Sequence, residues 1–183
     1  MDHPLTLELI LQRLCEGLPG ITPEVGAALA QACMVCLHHK GHGDQVVLTV
    51  KGAHTRTFCL RWHPQDVTDQ VLRTWNDLQE ATEDGAACLA CLLVLELTEY
   101  TIIERSRKKT GFDYWLGRND DAQLFNRDGR LEVSGILKGT DQQIKKRVNI
   151  KVKQTSPTAH LGLPALAIVV EFSNPVAHVA VAA

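Results

Sequence analysis

The sequence lacks the motifs by which several enzyme classes are recognised. It contains no glycine-rich phosphate loop, no GxSxG nucleophile motif and no HExxH zinc motif. These motifs place a nucleotide phosphate, a serine nucleophile or a zinc ion at defined positions, so nothing in the chain supports those three classes. It also lacks internal repeats and low-complexity segments. This absence favours an ordinary globular domain.

Long hydrophobic runs are missing as well. The longest apolar stretch, from about residue 86 to 95, is too short to span a bilayer. The first twenty residues lack the basic start and clean apolar run of a secretory signal. We therefore expect a cytoplasmic protein that makes no membrane contact and whose six cysteines are mostly free thiols.

Charge of one sign is not in excess, since 19 basic and 21 acidic residues give a formal net charge of −2. Nucleic-acid binding would therefore need a local basic patch. Two basic regions are candidates for phosphate contact, and the alternative for each is a solvated surface. The first comprises Arg105, Arg107, Lys108 and Lys109; the second comprises Lys145, Lys146 and Arg147, with Lys138, Lys151 and Lys153.

The 183 residues suit one compact domain, with residues 1–80 as helices and a β-hairpin packed on a core at 81–183. In the first part the patterns predict helices at 5–16 and 23–39, strands at 45–51 and 56–62, and a helix from about 67. A polar break is expected at 80–84. Thr22 is the expected N-cap of the second helix.

The second part predicts a helix, three strands, a crossover helix and a further strand. The expected bounds are a helix at 83–97, strands at 100–104, 111–116 and 130–136, a helix at 142–154 capped by Asp141, and a strand at 165–172. Residues 174–183 are either a last strand or a frayed tail. This order predicts a mixed α/β sheet with helices on its faces.

Two acids lie inside these predicted strands, Asp113 in GFDYWLG and Glu132 in LEVSG. Strand interiors favour β-branched and aromatic residues and disfavour Asp, so each acid needs a partner, a metal or a chemical role. Neighbouring strands lie about 4.8 Å apart, which allows two carboxylates to converge on one ion. The alternative is a structural pair with Arg105, Arg107 or Arg130.

The element order and the positions of these acids resemble the core of the PD-(D/E)xK nuclease superfamily, which has the restriction-endonuclease-like αβββαβ fold. The resemblance covers about half of the chain. It implies that Asp113 is the second-strand metal ligand, that Glu132 is the third-strand acid, and that Glu83 or Glu96 is the helix acid. It also implies a Mg²⁺ or Mn²⁺ cofactor and hydrolysis of DNA or RNA phosphodiesters.

The chain departs from the motif of that superfamily at one position. Ser134 stands two residues after Glu132, where the family has a lysine that orients water and stabilises charge. Lys108 or Lys109, just before Asp113, is the expected displaced helper, and Lys138 is a further candidate. Ser134 would then supply a hydrogen bond only.

A second hypothesis makes the same fold a non-catalytic binding or assembly subunit. The absent third-strand lysine and the near-neutral charge favour it. The partner would be a protein, a nucleic acid or a second copy of the chain. The phrases TGFDYWLG, RLEVSGI and VVEFSNP also resemble an uncharacterised bacterial protein family, a likeness that implies no activity.

The cysteines form two CxxC pairs, Cys33 with Cys36 and Cys88 with Cys91. Such pairs can bind zinc when they lie in tight polar turns. Here both lie in apolar runs with helical spacing, where free cysteine is a common small core residue. We therefore expect core packing in preference to a zinc site.

Overall fold

The computed structural model describes residues 7–118 and 125–182, which form an α/β fold around one mixed β-sheet. The eight strands of these residues are ordered β1-β3-β2-β8-β7-β6-β5-β4 across the sheet. Their bounds are Leu7–Ile10, Gln45–Gly52, Arg56–Arg61, Tyr100–Arg105, Tyr114–Arg118, Gly129–Ile136, Ala165–Glu171 and Val176–Ala182 for β1 to β8. The prediction of a mixed α/β sheet is confirmed.

Three main helices cover the sheet, and a fourth is short. They are α1 at Pro23–His39, the short α2 at Asp69–Thr74, α3 at Leu78–Leu97 and α4 at Asp141–Gln154. The main core lies where α1 and α3 pack on one face of the sheet. A smaller cluster of Ile144, Val148 and Val169 joins α4 to the opposite face. Across the described ranges, no helix combines the length and apolar character that crossing a bilayer requires.

Strands from both parts of the chain belong to this one sheet. β2 pairs in parallel with β8 through Thr49 and Val176, and β8 pairs antiparallel with β7. From β4 to β7 the pairing is antiparallel, antiparallel and then parallel, with α4 as the crossover between β6 and β7. Residues 176–182 are therefore a strand, which resolves the alternative left open for 174–183; Ala183 lies outside the described residues.

The α1–α3 interface is closely packed because small residues face each other. A Cβ built on Gly85 of α3 would lie 2.9 Å from the Cα of Cys33 in α1, so the two backbones leave no room for a side chain. Both CxxC pairs are buried in these helices, as predicted. All six cysteines are free thiols, and burial raises the pKa of Cys36 to about 12.

The predicted helix at 5–16 is wrong for its described part. Residues 7–10 form β1, which pairs in parallel with β3, and residues 11–16 form a 3-10 helix. Leu9 faces the core from the strand, whereas Leu11 and Leu14 are buried from the 3-10 segment. The leucines whose spacing predicts one helix therefore belong to two elements, a strand and a 3-10 helix.

Three further boundaries differ from the prediction. The break before α3 falls at Asp77, which caps α3 through the backbone amides of two following residues, so the expected break at 80–84 is wrong. Thr140 caps α4 in place of Asp141, because its side chain and Gln143 form a capping box. β5 begins at Tyr114, which leaves Asp113 just before the strand.

Candidate active site

The candidate site lies where β5 and β6 diverge. β5 pairs with β6 from Tyr114–Leu131 to Leu116–Gly129, while β6 continues to Ile136. The part of β6 beyond Leu131 therefore faces a cleft between the N-terminal half of α3 and the side of α4. A strand that extends past its neighbour exposes backbone amides, which need other acceptors.

Asp113 supplies one of these acceptors. Its Oδ2 accepts a hydrogen bond from the Val133 amide at 2.8 Å. Its own amide donates to the Leu131 carbonyl at 2.8 Å, and its carbonyl accepts from the Ser106 amide at 2.7 Å. The contacts with Leu131 and Val133 lie on both sides of Glu132 in the chain, so they fix Asp113 beside that residue. Asp113 lies directly before β5 and not inside the strand as predicted, although its backbone hydrogen bonds continue the pairing of β5 with both neighbours.

Glu132 is buried on β6, with 3% of its side chain exposed. Its Oε1 accepts a hydrogen bond from Lys151 Nζ of α4 at 2.5 Å, and the lysine side chain is 18% exposed. The predicted pairing of an acid with an arginine is therefore replaced, at Glu132, by a pairing with a lysine. Breaking such a buried pair on one side is costly, because the remaining charge has no compensation.

The pKa of Glu132 is raised to about 7, from an ordinary value of 4.5. Burial is the largest cause, because it disfavours the charged carboxylate, and the negative charge of Asp113 adds to the shift. Lys151 acts in the opposite direction through its charge and hydrogen bond. A buried carboxyl group whose pKa is raised by burial and by a neighbouring acid, and which also contacts a cation, is typical of catalytic and metal-binding sites.

Ser134 lies on the same face of β6 as Glu132, and its Oγ accepts a hydrogen bond from Arg147 Nη1 of α4 at 3.0 Å. Arg147 and Lys151 are four residues apart, so they point from one side of α4 towards successive inward positions of β6. Ser134, which stands where the superfamily has a lysine, is therefore hydrogen-bonded to an arginine of α4.

A cavity of about 260 Å³ is lined by Asp113, Ser134, Arg147 and Lys151. A neighbouring cavity of about 740 Å³ shares Arg105, Asp113 and Lys151 with it. The second cavity is bounded by the hairpin between β4 and β5, which brings Arg107, Lys108 and Lys109 to its rim, and Glu132 also lines it. The structure therefore brings the predicted helpers Lys108 and Lys109 to the edge of the site, whereas Lys151 is in direct contact with the acid.

Two acids of α3 reach the smaller cavity. Glu83, the predicted helix acid, is exposed and accepts a hydrogen bond from Gln79 at 3.4 Å. Asp84 was not singled out from the sequence, yet it is half-buried, and burial raises its pKa while the charge of Arg105 opposes this. Asp84 lies three residues after the buried Ala81 and four before the buried Cys88, so helical spacing could have placed it on the inward side.

Other predicted residues lie away from the acids. Lys145 is exposed and lies near His178 of β8. The pKa of His178 is lowered by the burial of its ring and by the positive charge of Lys145. Lys146 is exposed on α4. Lys138 is exposed on the loop after β6, and Glu96 lies at the far end of α3 in an ion pair with Arg13. None of these four candidates, Lys138, Lys145, Lys146 and Glu96, lines either cavity described above.

Arg130, a predicted partner of the acids, instead clamps the chain that follows α4. Its guanidinium is fully buried and donates to the Thr155 carbonyl at 3.0 Å, the Thr158 hydroxyl at 2.7 Å and the Leu163 carbonyl at 2.5 Å. These bonds hold the segment just beyond the C-terminal end of α4. Lys151 lies one turn before that end, so Arg130 helps to fix the helix that carries it.

The donor set fits a hard divalent cation that keeps part of its water shell. Among the residues that the structure describes, no three His, Cys, Asp or Glu side chains converge to hold a metal ion. Asp113 and Glu132 provide two carboxylates, and Mg²⁺ is commonly held by one or two carboxylates, water and substrate phosphate. The donors are oxygens, so the site does not favour a soft metal.

No protein-family model, curated protein or solved structure matches this chain.

Proposed function

We propose that this chain is a nuclease-like protein that hydrolyses nucleic-acid phosphodiesters with Mg²⁺ or Mn²⁺ at Asp113 and Glu132. The order α3, β4, β5, β6, α4, β7 supports this proposal, because it is the αβββαβ order that the superfamily resemblance implies. The fold is consistent with a restriction-endonuclease-like core extended by β1, β2, β3, β8 and α1.

The observation that carries the proposal is the contact of Lys151 Nζ with Glu132 Oε1 at 2.5 Å. The resemblance requires a lysine ammonium beside the third-strand acid, and Ser134 cannot supply one. Lys151 reaches that place from α4, whereas Lys108 and Lys109 belong to the β4–β5 hairpin. In this proposal Lys151, and not Lys108 or Lys109, is the functional lysine.

Each side chain has a chemical role that follows from its position. A divalent cation held by Asp113 and Glu132 would supply Lewis-acid activation of a phosphate and of a water molecule. Lys151 donates hydrogen bonds towards that water and offsets negative charge in the transition state. Arg147, anchored on Ser134, binds a non-bridging phosphate oxygen. Arg105 and Arg107 contact the flanking backbone.

The proposal predicts that Asp113→Asn abolishes metal-dependent cleavage and leaves the fold intact. The asparagine Oδ1 still accepts from the Val133 amide, so the backbone contact survives while the metal-binding charge is lost. We expect at least about a 100-fold lower rate with Mn²⁺ on bis(p-nitrophenyl) phosphate and on single- and double-stranded DNA and RNA. Lys151→Met should also lower the rate by about 100-fold or more.

Asp128→Asn is the matched control. Asp128 also accepts a hydrogen bond from a backbone amide, that of Arg118 at 3.3 Å, but at the other end of β5. This variant should keep the wild-type rate. The proposed function would be rejected if Asp113→Asn cleaved at the wild-type rate. It would also be rejected if the unmodified protein showed no Mn²⁺-dependent cleavage of any of these substrates.

A non-catalytic binding or assembly subunit is the second candidate, and the same ion pair favours it in one respect. Lys151 already occupies Glu132 Oε1, and the Val133 amide already occupies one oxygen of Asp113. An acid pair that is satisfied in this way also serves as a structural lock between β6 and α4. Under this reading Lys151→Met lowers stability, and divalent ions have no specific effect on the protein.

A further inference from the structure

A third cavity continues the active-site cleft on the side away from the basic hairpin. It has a volume of about 500 Å³ and shares Glu83 and Arg147 with the cavity at Asp113. We call it the Leu137 cleft. Its other lining residues are Leu78, Gln79, Thr82, Gly135, Ile136 and Leu137.

The Leu137 cleft differs in chemistry from the opposite end of the groove. The hairpin end carries Arg105, Arg107, Lys108 and Lys109, which suit a chain of phosphates. The Leu137 cleft instead presents three half-buried aliphatic side chains, with the amide of Gln79 and the exposed carboxylate of Glu83 at its rim. Arg147 stands at the junction, 3.0 Å from Ser134 Oγ.

The backbone geometry of this cleft is fixed by close packing. A Cβ on Gly135 would lie 2.2 Å from the Thr82 carbonyl oxygen, so the backbones of β6 and α3 are in contact at this point and leave no room for a side chain between them. This contact closes one side of the cleft. Its volume is in the range typical of sites that bury a small organic group.

We propose that the Leu137 cleft binds an unpaired base of a single-stranded nucleic acid, at the nucleotide next to the phosphate held by Arg147. The inference rests on the proposed function, because that function places the phosphate. A single strand alternates anionic phosphates with bases whose flat apolar faces are free, which matches a groove that is cationic at one end and aliphatic at the other. A duplex does not fit this requirement, because its bases are stacked and paired inside.

Gln79 and Arg147 give the cleft polar contacts at its two sides. The Gln79 amide nitrogen donates to Glu83 at 3.4 Å, and the amide oxygen of Gln79 can accept a hydrogen bond from the edge of a base. Leu78, Ile136 and Leu137 would cover the face of the ring. This arrangement favours binding of bases in general over strong discrimination among them, because little of the ring edge meets a fixed donor or acceptor.

The test measures binding in EDTA, without metal and without cleavage. Fluorescence anisotropy compares a labelled single-stranded pentanucleotide, the same strand with one central abasic site, and the corresponding duplex with Asp113→Asn protein. We expect the abasic strand and the duplex each to bind about five- to tenfold more weakly than the intact strand, a modest value because base stacking here is on aliphatic groups.

Leu137→Ala should remove most of the difference between the intact and abasic strands. Its control is Ile150→Ala, which truncates an exposed aliphatic residue on α4 that lines none of the three cavities. Because Leu137 also packs against the core, thermal unfolding of both variants checks that each is folded. The comparison of the intact and abasic strands on the Asp113→Asn protein needs no core substitution.

Equal binding of intact and abasic strands, tighter binding of the duplex, or no binding of any oligonucleotide would overturn this inference. These failures differ from a failure of the proposed function, which is read from hydrolysis of bis(p-nitrophenyl) phosphate, a diester without a nucleobase. Cleavage of that diester together with equal strand binding would retain the catalytic site and reject the base-binding cleft.

Discussion

At the scale of single residues, the position of Glu132 combines burial, a like charge and a cation. The carboxyl group lies on a central strand, next to Asp113, and touches Lys151. Burial and Asp113 outweigh the lysine, so the pKa rises to about 7. A group with that pKa changes charge near neutral pH, where its capacity to hold a cation also changes.

Glu132→Gln should flatten the pH dependence of stability between pH 4.5 and 7. In that interval the folded protein binds a proton at Glu132 that the unfolded chain has already released, so the free energy of unfolding falls as pH rises. Glutamine has no such titration and can still accept from Lys151. Urea unfolding at several pH values from 4 to 8 measures the effect.

The control for this experiment is Glu104→Gln, which removes an exposed acid that pairs with Arg127 at 2.7 Å. Loss of an exposed ion pair changes stability by at most about 1 kcal/mol. This variant should keep the wild-type fall in stability over the same interval. An unchanged profile in Glu132→Gln would show that the raised pKa of Glu132 makes no measurable contribution.

Part of the site could be predicted from residues alone. Asp113 and Glu132 stood out because acids are rare inside strands, and Ser134 was recognised as a departure from the expected lysine. The sequence pattern assigns Lys151 to a basic surface patch, because most of the other residues in α4 are charged or polar. Its helical spacing from the buried residues Ile144 and Val148 is the signal that it faces the sheet. Whether Lys151 can reach β6 depends on the rotation of α4 about its own axis. Helical periodicity predicts that rotation only to within about one residue position.

At the scale of elements, α3 depends on a close approach to α1. Gly85 lies inside α3, where glycine ordinarily weakens a helix by about 1 kcal/mol relative to alanine. The sequence predicts a break at 80–84, directly before Gly85, whereas the helix runs through both. The reason is tertiary, because the Cys33 backbone occupies the space that a side chain would need.

Gly85→Ala should therefore destabilise the protein, even though alanine is the better helix former. A Cβ at 2.9 Å from the Cys33 Cα must push two helices apart, and overpacking of this kind costs about 1–3 kcal/mol. Chemical denaturation measures the change. Gly43→Ala is the control, because a Cβ there meets nothing within 4 Å; a stabilised Gly85→Ala would contradict the packing argument.

The other elements show which sequence signals are dependable. The bounds of α1 and α4 were predicted to within two residues, although the cap of α4 was assigned to Asp141 and is Thr140. β1 was mistaken for a helix, because four residues of an edge strand carry too little periodicity to identify it. Its parallel pairing with β3 is a long-range contact that local patterns do not encode.

At the scale of the whole molecule, the proposed metal site predicts that Mn²⁺ stabilises the native state. A ligand at 100 times its dissociation constant adds about 2.7 kcal/mol. For a protein of this size that is a rise in Tm of about 5–10 °C. The rise should be larger at pH 8 than at pH 6, because Glu132 must lose its proton before it can bind a cation.

Differential scanning calorimetry with and without Mn²⁺ checks this expectation. Asp113→Asn should lose most of the shift, and the control variant Asp128→Asn should retain it. Equal shifts in both variants would place the cation elsewhere on the protein.

The parallel pairing of β2 with β8 has a consequence for how the chain folds. Thr49 and Val176 are neighbours in the sheet but lie far apart in sequence. Contacts of this kind slow folding, because a long loop must close before they form. During synthesis the hairpin of β2 and β3 emerges early. The backbone groups on the other edge of β2 then stay unpaired until β8 has been synthesised. Until then that edge is open to pairing with another nascent chain, which makes β8 the strand that protects the newly made protein from aggregation.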